Sequence, residues 1–565
     1  MVRRLAQTLA LALTFAGVVM AQPQERVDLD AMNRIRDEGL HRSQVMDTLE
    51  YMTDVLGPRL TASPEDKAAA EWARQRLQSY GLSASHTEAF DFGEGWSYSK
   101  ASARMITQLT VPFFVVPKAW TPGTAGVVRG EAIQLKLETE EDLAAQKGKL
   151  KGKIVLLSGP REAPDNPVDE SKEAPFERYT RADLEGLNAL DLPDPSRPSW
   201  RTRAIKRFTF GAKLNAFLVE EGVVATIEMS RRDNGVINVQ SGGSLGIVGR
   251  GRGVPAVVAA AEPYQRMLRL LDGDHKVELE LEVEAKFHSE DTHGYNVVAE
   301  IPGTDKKDEV VMLGAHFDSW HAGTGATDNG AGSAVVMEAV RILEATGLKP
   351  RRTIRVALWS GEEQGLIGST AYVTGHFASR PPSTDAAQLA LPEPYRESTW
   401  PIAPKPDHAK LSAYFNLDNG SGRIRGIYSE ENTAAVPIFR AWLEPLRDLG
   451  ADTVTTNDTG GTDHQSFDGV GLPGFQFVQD ALDYETRTHH SNIDTYDHAR
   501  RDDLMQASVV MAAFVYDAAQ RDERFPRKPL PQAPPKGKEK SKVEDKSATP
   551  PAAVPPPAAP RPGAR

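Results

Sequence analysis

From Tyr295 onward the chain alternates short, largely apolar runs with segments of helical periodicity, and this alternation restricts its fold more than any other feature. Val310–Leu313 and Thr353–Trp359 read as strands buried on both faces, with Ala331–Leu343 and Leu366–Thr374 as helices. Strand and helix in turn build a mostly parallel sheet with helices on both faces. The expected class is therefore α/β, with a helix from Asp502 to about Gln520 closing the sheet domain. Nearer the start, Ser63-Pro64 caps a helix that runs to about Tyr80, where Gly81 stops it.

Between residues 124 and 287 the rhythm changes. Ile154–Leu157, Val223–Met229, Val254–Val258 and Val277–Val283 are short strand-like runs punctuated by proline and glycine. They indicate an inserted β-rich domain over 124–287, which divides the main domain into 22–123 and 288–522.

The ends differ from both. Arg3-Arg4, the uncharged run Leu9–Met20 and Val19-Met20-Ala21 have the organisation of a signal peptide over 1–21. A membrane span needs about 20 apolar residues, more than this run supplies. The expectation is a secreted or periplasmic protein with no stable membrane insertion. Residues 523–565 turn to Pro, Lys and Ala, with twelve prolines from Phe525 onward, and read as a disordered tail.

Composition removes several chemistries. No cysteine occurs among 565 residues, which excludes disulfides, a thiol nucleophile and thiolate metal sites. Any metal must be held by His, Asp or Glu. The net charge is −12, although residues 523–565 carry ten Lys/Arg against four Asp/Glu, so the body is strongly acidic. Nucleic-acid binding through a broad basic face is not expected.

Ligand-type residues gather where the strands should end. Val310–Leu313 leads into His316-Phe317-Asp318, Thr353–Trp359 into Glu362-Glu363, and Leu411–Asn416 into Leu417-Asp418. In open α/β sheets ligands bind beyond the carboxyl ends of the strands, so the three segments point at one crevice. Thr327-Asp328-Asn329-Gly330 before a helix and His489-His490-Ser491-Asn492-Ile493-Asp494 lie on loops. Each piece alone is as readily a turn or a surface pair. Their joint order is the informative feature.

That order, His316-x-Asp318, Asp328-Asn329-Gly330, Glu362-Glu363, Asp418 and His490-Ser491, resembles the co-catalytic dizinc exopeptidases of the bacterial leucyl aminopeptidase and glutamate carboxypeptidase type. Gly314–Trp320 with Gly323–Gly332 is most similar to carboxypeptidase Q-like members. The resemblance implies two Zn2+ ions bridged by Asp328, one also held by Glu363 and His490, the other by His316 and Asp418. It implies Glu362 as general base, with Asp318 and Asp494 behind the ligands, where carboxylates can fix imidazoles. It further implies a cis peptide between Asp328 and Asn329, and a protease-associated character for the insert, notably around Leu150–Leu156.

Three ligand carboxylates nearly balance two dications, which makes such a site tolerable when partly buried. A two-ion site activates water and polarises a carbonyl, and Glu362 can move the proton. The implied activity is exopeptidase hydrolysis of peptides or dipeptides, from either end. The alternatives are a non-catalytic peptide- or protein-binding module on the same fold and a single-zinc glutaminyl cyclase. His489 is a possible substrate contact. Thr462-Asp463-His464 reads as loop bracing rather than a metal site. Ala378–Lys410, rich in proline, separates Glu363 from Asp418 more widely than the resemblance suggests and is expected at the rim of the site. Oligomeric state is not encoded in any of these features.

Overall fold

The computed structural model describes residues 25–107, 109–161, 176–189 and 198–534. The signal-peptide reading, 1–21, and the tail beyond residue 534 lie outside the described residues.

The main domain is built on an eight-stranded sheet in the order Ser83–Asp91, His293–Ile301, Arg352–Trp359, Lys306–His316, Leu411–Asn416, Gly474–Gln479, Ile424–Tyr428 and Thr453–Thr455. The four central strands, Arg352–Trp359 to Gly474–Gln479, are mutually parallel. Toward both edges antiparallel neighbours join them, so the sheet is mixed, with a parallel centre. Strand Leu411–Asn416 is buried at every position, as expected of a strand covered on both faces.

Successive side chains on Lys306–His316 divide between two cores. Val311, Leu313 and Ala315 pack under Leu29–His41, Pro64–Ser79, Ala331–Thr346 and Arg501–Gln520. Val310 and Met312 face the opposite core, with Tyr372, Val373 and Phe377 of the Ile367–His376 region and Phe467. Helix Pro64–Ser79 begins as its sequence implies: the Ser63 side chain accepts from Asp66 N, and proline occupies the first turn.

The insert is larger than 124–287 and richer in helix than expected. Its own eight-stranded sheet takes in Gly95–Ile106, which pairs with Glu278–His288 from Gly95↔His288 to Ile106↔Glu278. The incoming and outgoing strands thus lie side by side, and the structural boundary falls between Asp91 and Gly95. The unit also carries helices Trp200–Glu220 and Ala261–Asp272. The first escapes a periodicity reading because only Ala204 and Leu218 on it are buried.

Two further segments are ordered by packing. Within 378–410, strands Ala378–Ser379 and Ala403–Pro404 pair, and Tyr395 meets Trp200 and Phe208 of the insert with ring centroids 5.8 and 6.0 Å apart. The tail does not begin at 523. Phe525 is buried against Phe439, Trp442 and Phe475, and Lys528 pairs with Asp468 at 2.7 Å, so apolar burial extends the packed body beyond that point. No helix among the described residues is long and apolar enough to cross a membrane.

Candidate metal centre

Three parallel strands end at one edge of the sheet and deliver the first side chains. His316 is the last residue of its strand, Glu362-Glu363 follow Trp359 after a turn, and Asp418 follows Asn416 by two residues. Gly361, with φ +75°, permits the turn that aims the glutamate pair back across the strand ends. Asp328 stands just before helix Ala331–Thr346, and its peptide bond to Asn329 is cis. The Asn329 amide donates to Leu417 O at 2.8 Å and its oxygen accepts from Gly332 N at 3.0 Å. These bonds tie the start of that helix to the strand end bearing Asp418.

The side chains converge in two groups joined by one carboxylate. His316 Nε2 lies 3.2 Å from Asp328 Oδ1 and 3.3 Å from Asp418 Oδ1. His490 Nε2 lies 3.2 Å from Asp328 Oδ2 and 3.0 Å from Glu363 Oε2. Glu362 Oε2 stands further off, 3.9 Å from His316 Nε2. Asp328 Oδ2 and Glu363 Oε1 are buried without a hydrogen-bond partner. Buried carboxylate oxygens left bare are costly, and a cation among them removes the cost. The donor set, carboxylate oxygens and imidazole nitrogens, suits zinc.

The charge balance agrees. Burial, with the Asp328 charge beside it, pushes the Glu363 carboxyl up to about 7. Burial raises Glu362 well above the ordinary carboxylate range, with Asp418, Asp463 and Glu363 adding and His316 opposing. His490 is pushed up to about 10: burial opposes its charge, but Glu363 and Asp328 outweigh it. Asp328 falls well below its usual value, burial being overcome by His316 and His490. The cluster holds more buried negative charge than its two imidazoles neutralise, the condition a divalent ion relieves.

Asp318 and Asp494 lie behind these groups, but they brace backbone rather than rings. Asp494 Oδ1 accepts from Thr327 N at 2.6 Å and Oδ2 from Asp328 N at 3.1 Å. Asp318 accepts from Glu362 N at 3.2 Å, Glu363 N at 3.4 Å and Thr61 Oγ1 at 2.7 Å. The His316 ring rests instead on the backbone oxygen of Asp318, with Nδ1 at 3.0 Å; the carboxylate is 3.6 Å away, beyond hydrogen-bond reach.

Two contributors give no signal in the sequence. Arg59 is fully buried and donates to Phe317 O at 2.7 Å, Thr324 O at 3.0 Å and Gly325 O at 2.8 Å. It thereby links the His316 loop to the loop preceding Asp328. Gln240 reaches His490 from the inserted domain. Each is a single residue far in sequence from its partners, with no spacing pattern to reveal it.

His489 flanks the centre, a third exposed, stacked on Tyr484 with centroids 4.7 Å apart. Its Nε2 is 3.8 Å from Asp328 Oδ2, so it shares the Asp328–His490 side of the cluster. His464 braces its loop through Nε2 and Thr459 O at 3.2 Å. Asp463 is buried beneath the cluster, and burial pushes its carboxyl up to about 7. The 378–410 segment lies beside the glutamate turn: a Cβ at Gly365 would stand 2.5 Å from Pro394 Cβ.

Residues 296–515 match peptidase family M28. Over 490 residues the chain is 25% identical to carboxypeptidase Q of Mus musculus, covering 86% of this chain and 88% of that protein. A peptidase M28 precursor from Shewanella amazonensis has a similar structure, with TM-score 0.61 and 25% identity over 89% of this chain and 99% of that one. BSAP, a zinc aminopeptidase from Bacillus subtilis, shares the fold at TM-score 0.50 and 18% identity, over 85% and 95% of the two chains.

Proposed function

We propose that this chain, a zinc metallopeptidase whose residues 296–515 match peptidase family M28, is an exported dizinc exopeptidase that removes terminal residues from short peptides. The observation that carries the two-ion reading is Asp328, whose two oxygens face two separate imidazole–carboxylate groups. In this reading Asp328 is shared, His316 and Asp418 complete one ion's protein ligands, and Glu363 and His490 complete the other's. Bound zinc would polarise the scissile carbonyl and make water acidic enough to react near neutral pH.

The chain's own groups supply the rest. Glu362 stands beside the His316–Asp418 group, its Oε2 3.9 Å from His316 Nε2, and its raised pKa suits a residue that takes a proton from water and returns it to the leaving amine. Asp494 and Asp318 hold the backbone amides beside Asp328 and the glutamate pair, fixing where those carboxylates point. His489, at the exposed edge, is placed to meet the substrate. The insert and the 378–410 segment, joined at Tyr395, form one wall beside the glutamate turn and shape which peptides are accepted. We assign the insert the protease-associated type on its strand-rich sheet and its position.

A peptide-library digest with zinc present, read by mass spectrometry, tests this function. Successive loss of single terminal residues is expected, and the shortened end distinguishes aminopeptidase from carboxypeptidase. Internal cleavage, or no cleavage, contradicts it.

A further inference from the structure

Both histidines of the centre need a partner on the ring nitrogen that faces away from the ion. A neutral imidazole that offers Nε2 to a metal carries its proton on Nδ1, and the group meeting Nδ1–H fixes the tautomer and the ring plane. For His316 the partner is local, the backbone oxygen of Asp318. For His490 it is not. Its Nδ1 lies 2.9 Å from the side-chain amide of Gln240, which belongs to the inserted domain.

The contact is one of several by which the insert grips this loop. His490 has φ +57°, in the left-handed region that side chains seldom adopt. Its carbonyl accepts from Val239 N at 3.1 Å and from the Asn238 amide at 3.1 Å. The same amide donates to His489 O at 3.0 Å, and Arg232 donates to Glu485 O at 2.7 Å and His489 O at 3.1 Å. On the far side Asn492 and Ile237 exchange bonds, Ile237 N to Asn492 Oδ1 at 2.6 Å and Asn492 N to Ile237 O at 2.9 Å. Residues 232–240 of the insert therefore hold the backbone on both sides of His490 as well as its ring.

We propose that Gln240 is a positioning residue for His490, and that the inserted domain is thereby a structural part of one half of the metal centre. This rests on the two-ion reading above. With Nε2 directed at an ion, Nδ1–H must meet an acceptor. The Gln240 carboxamide provides one by presenting Oε1, a half-turn about its terminal bond that exchanges two atoms of similar size. The two halves of the centre then differ in origin. The His316–Asp418 half is braced within the main domain, and the Glu363–His490 half depends on the insert. A Gln240 substitution acts on one ion and spares the other.

The test is zinc titration of the full chain against a competing chelator, comparing wild type, Gln240→Ala and Gln240→Glu, with the thermal transition of each as a check on folding. Glutamate keeps an acceptor for Nδ1–H, in the carboxylate–histidine arrangement common at zinc. Gln240→Ala is expected to weaken one of two zinc equivalents by about 10–100-fold and leave the other unchanged, the usual cost of losing such a partner. Gln240→Glu is expected to restore the weakened equivalent. The proposal is overturned if Gln240→Ala binds both equivalents as wild type does, if both weaken together, or if Gln240→Glu is as weak as alanine. A wild-type stoichiometry of one contradicts the two-ion reading itself, an outcome scored on the parent protein before any variant is compared.

Discussion

Glu362 and Glu363 are neighbours in the chain yet serve different imidazoles. Glu363 Oε2 lies 3.0 Å from His490 Nε2, whereas Glu362 Oε2 lies 3.9 Å from His316 Nε2. Their two amides donate to the single carboxylate of Asp318, which fixes the turn that separates their side chains. Glu363 thus stands closer to its imidazole than Glu362 does, and in the proposed function this leaves Glu363 to hold an ion and Glu362 to move a proton.

Glu362→Gln should consequently keep the zinc content of the parent and lose turnover by about 10²–10⁴-fold, the scale of general-base removal. Metal analysis beside kcat checks this. Loss of zinc in the variant would make Glu362 a ligand, and an unchanged rate would remove it from the proton path.

Asp328→Asn should lose zinc and activity together, because the amide cannot give a charged oxygen to each side. Ions that bind only the folded state stabilise it, by about 2.7 kcal/mol at a hundredfold excess over Kd. A chelator should therefore lower the Tm of the parent and leave that of Asp328→Asn unchanged. A variant that still loses stability on chelation retains the ions and refutes the shared-ligand role.

Tyr395 joins the 378–410 segment to the insert through Trp200 and Phe208. Each such aromatic contact contributes about 0.5–1.5 kcal/mol beyond burial. Tyr395→Ala should loosen the wall, changing the ranking of kcat/KM across a peptide panel with zinc content held. An unaltered ranking would make the segment a passive insertion.

Asp517 is buried in helix Arg501–Gln520, with Oδ2 unpartnered. Burial raises its carboxyl well above the ordinary range, and the Glu25 and Asp28 charges add to this. In the unfolded chain the group ionises near pH 3.9. Above that pH the native state holds the extra proton, so the acid costs stability increasingly as pH rises toward its folded pKa. Asp517→Asn should thus raise Tm at pH 7.5 and make little difference at pH 3. An equal effect at both would show that the acid is not protonated in the fold.

The central strands and helices were legible because burial on both faces leaves short, largely apolar runs: Leu411–Asn416 begins and ends where its sequence indicated. The convergence of His316, Glu362, Glu363 and Asp418 was legible because a parallel sheet brings residues at its strand ends together. The missed features share a physical cause. Helix Trp200–Glu220 hides little apolar surface, so its pattern is faint. Strand Gly95–Ile106 is fixed by a partner nearly two hundred residues away, and Arg59 and Gln240 acquire their roles only when the chain has folded. Phe525 is one aromatic among prolines, and composition concealed its anchor.

The most direct test of the two-ion centre is anomalous diffraction from crystals grown with zinc, recorded on both sides of the zinc absorption edge. Two peaks about 3.5–4 Å apart are expected. Asp328 should lie between them, with Glu363 and His490 on one and His316 and Asp418 on the other. A single peak at full occupancy, or a second peak away from Asp328, would contradict the account.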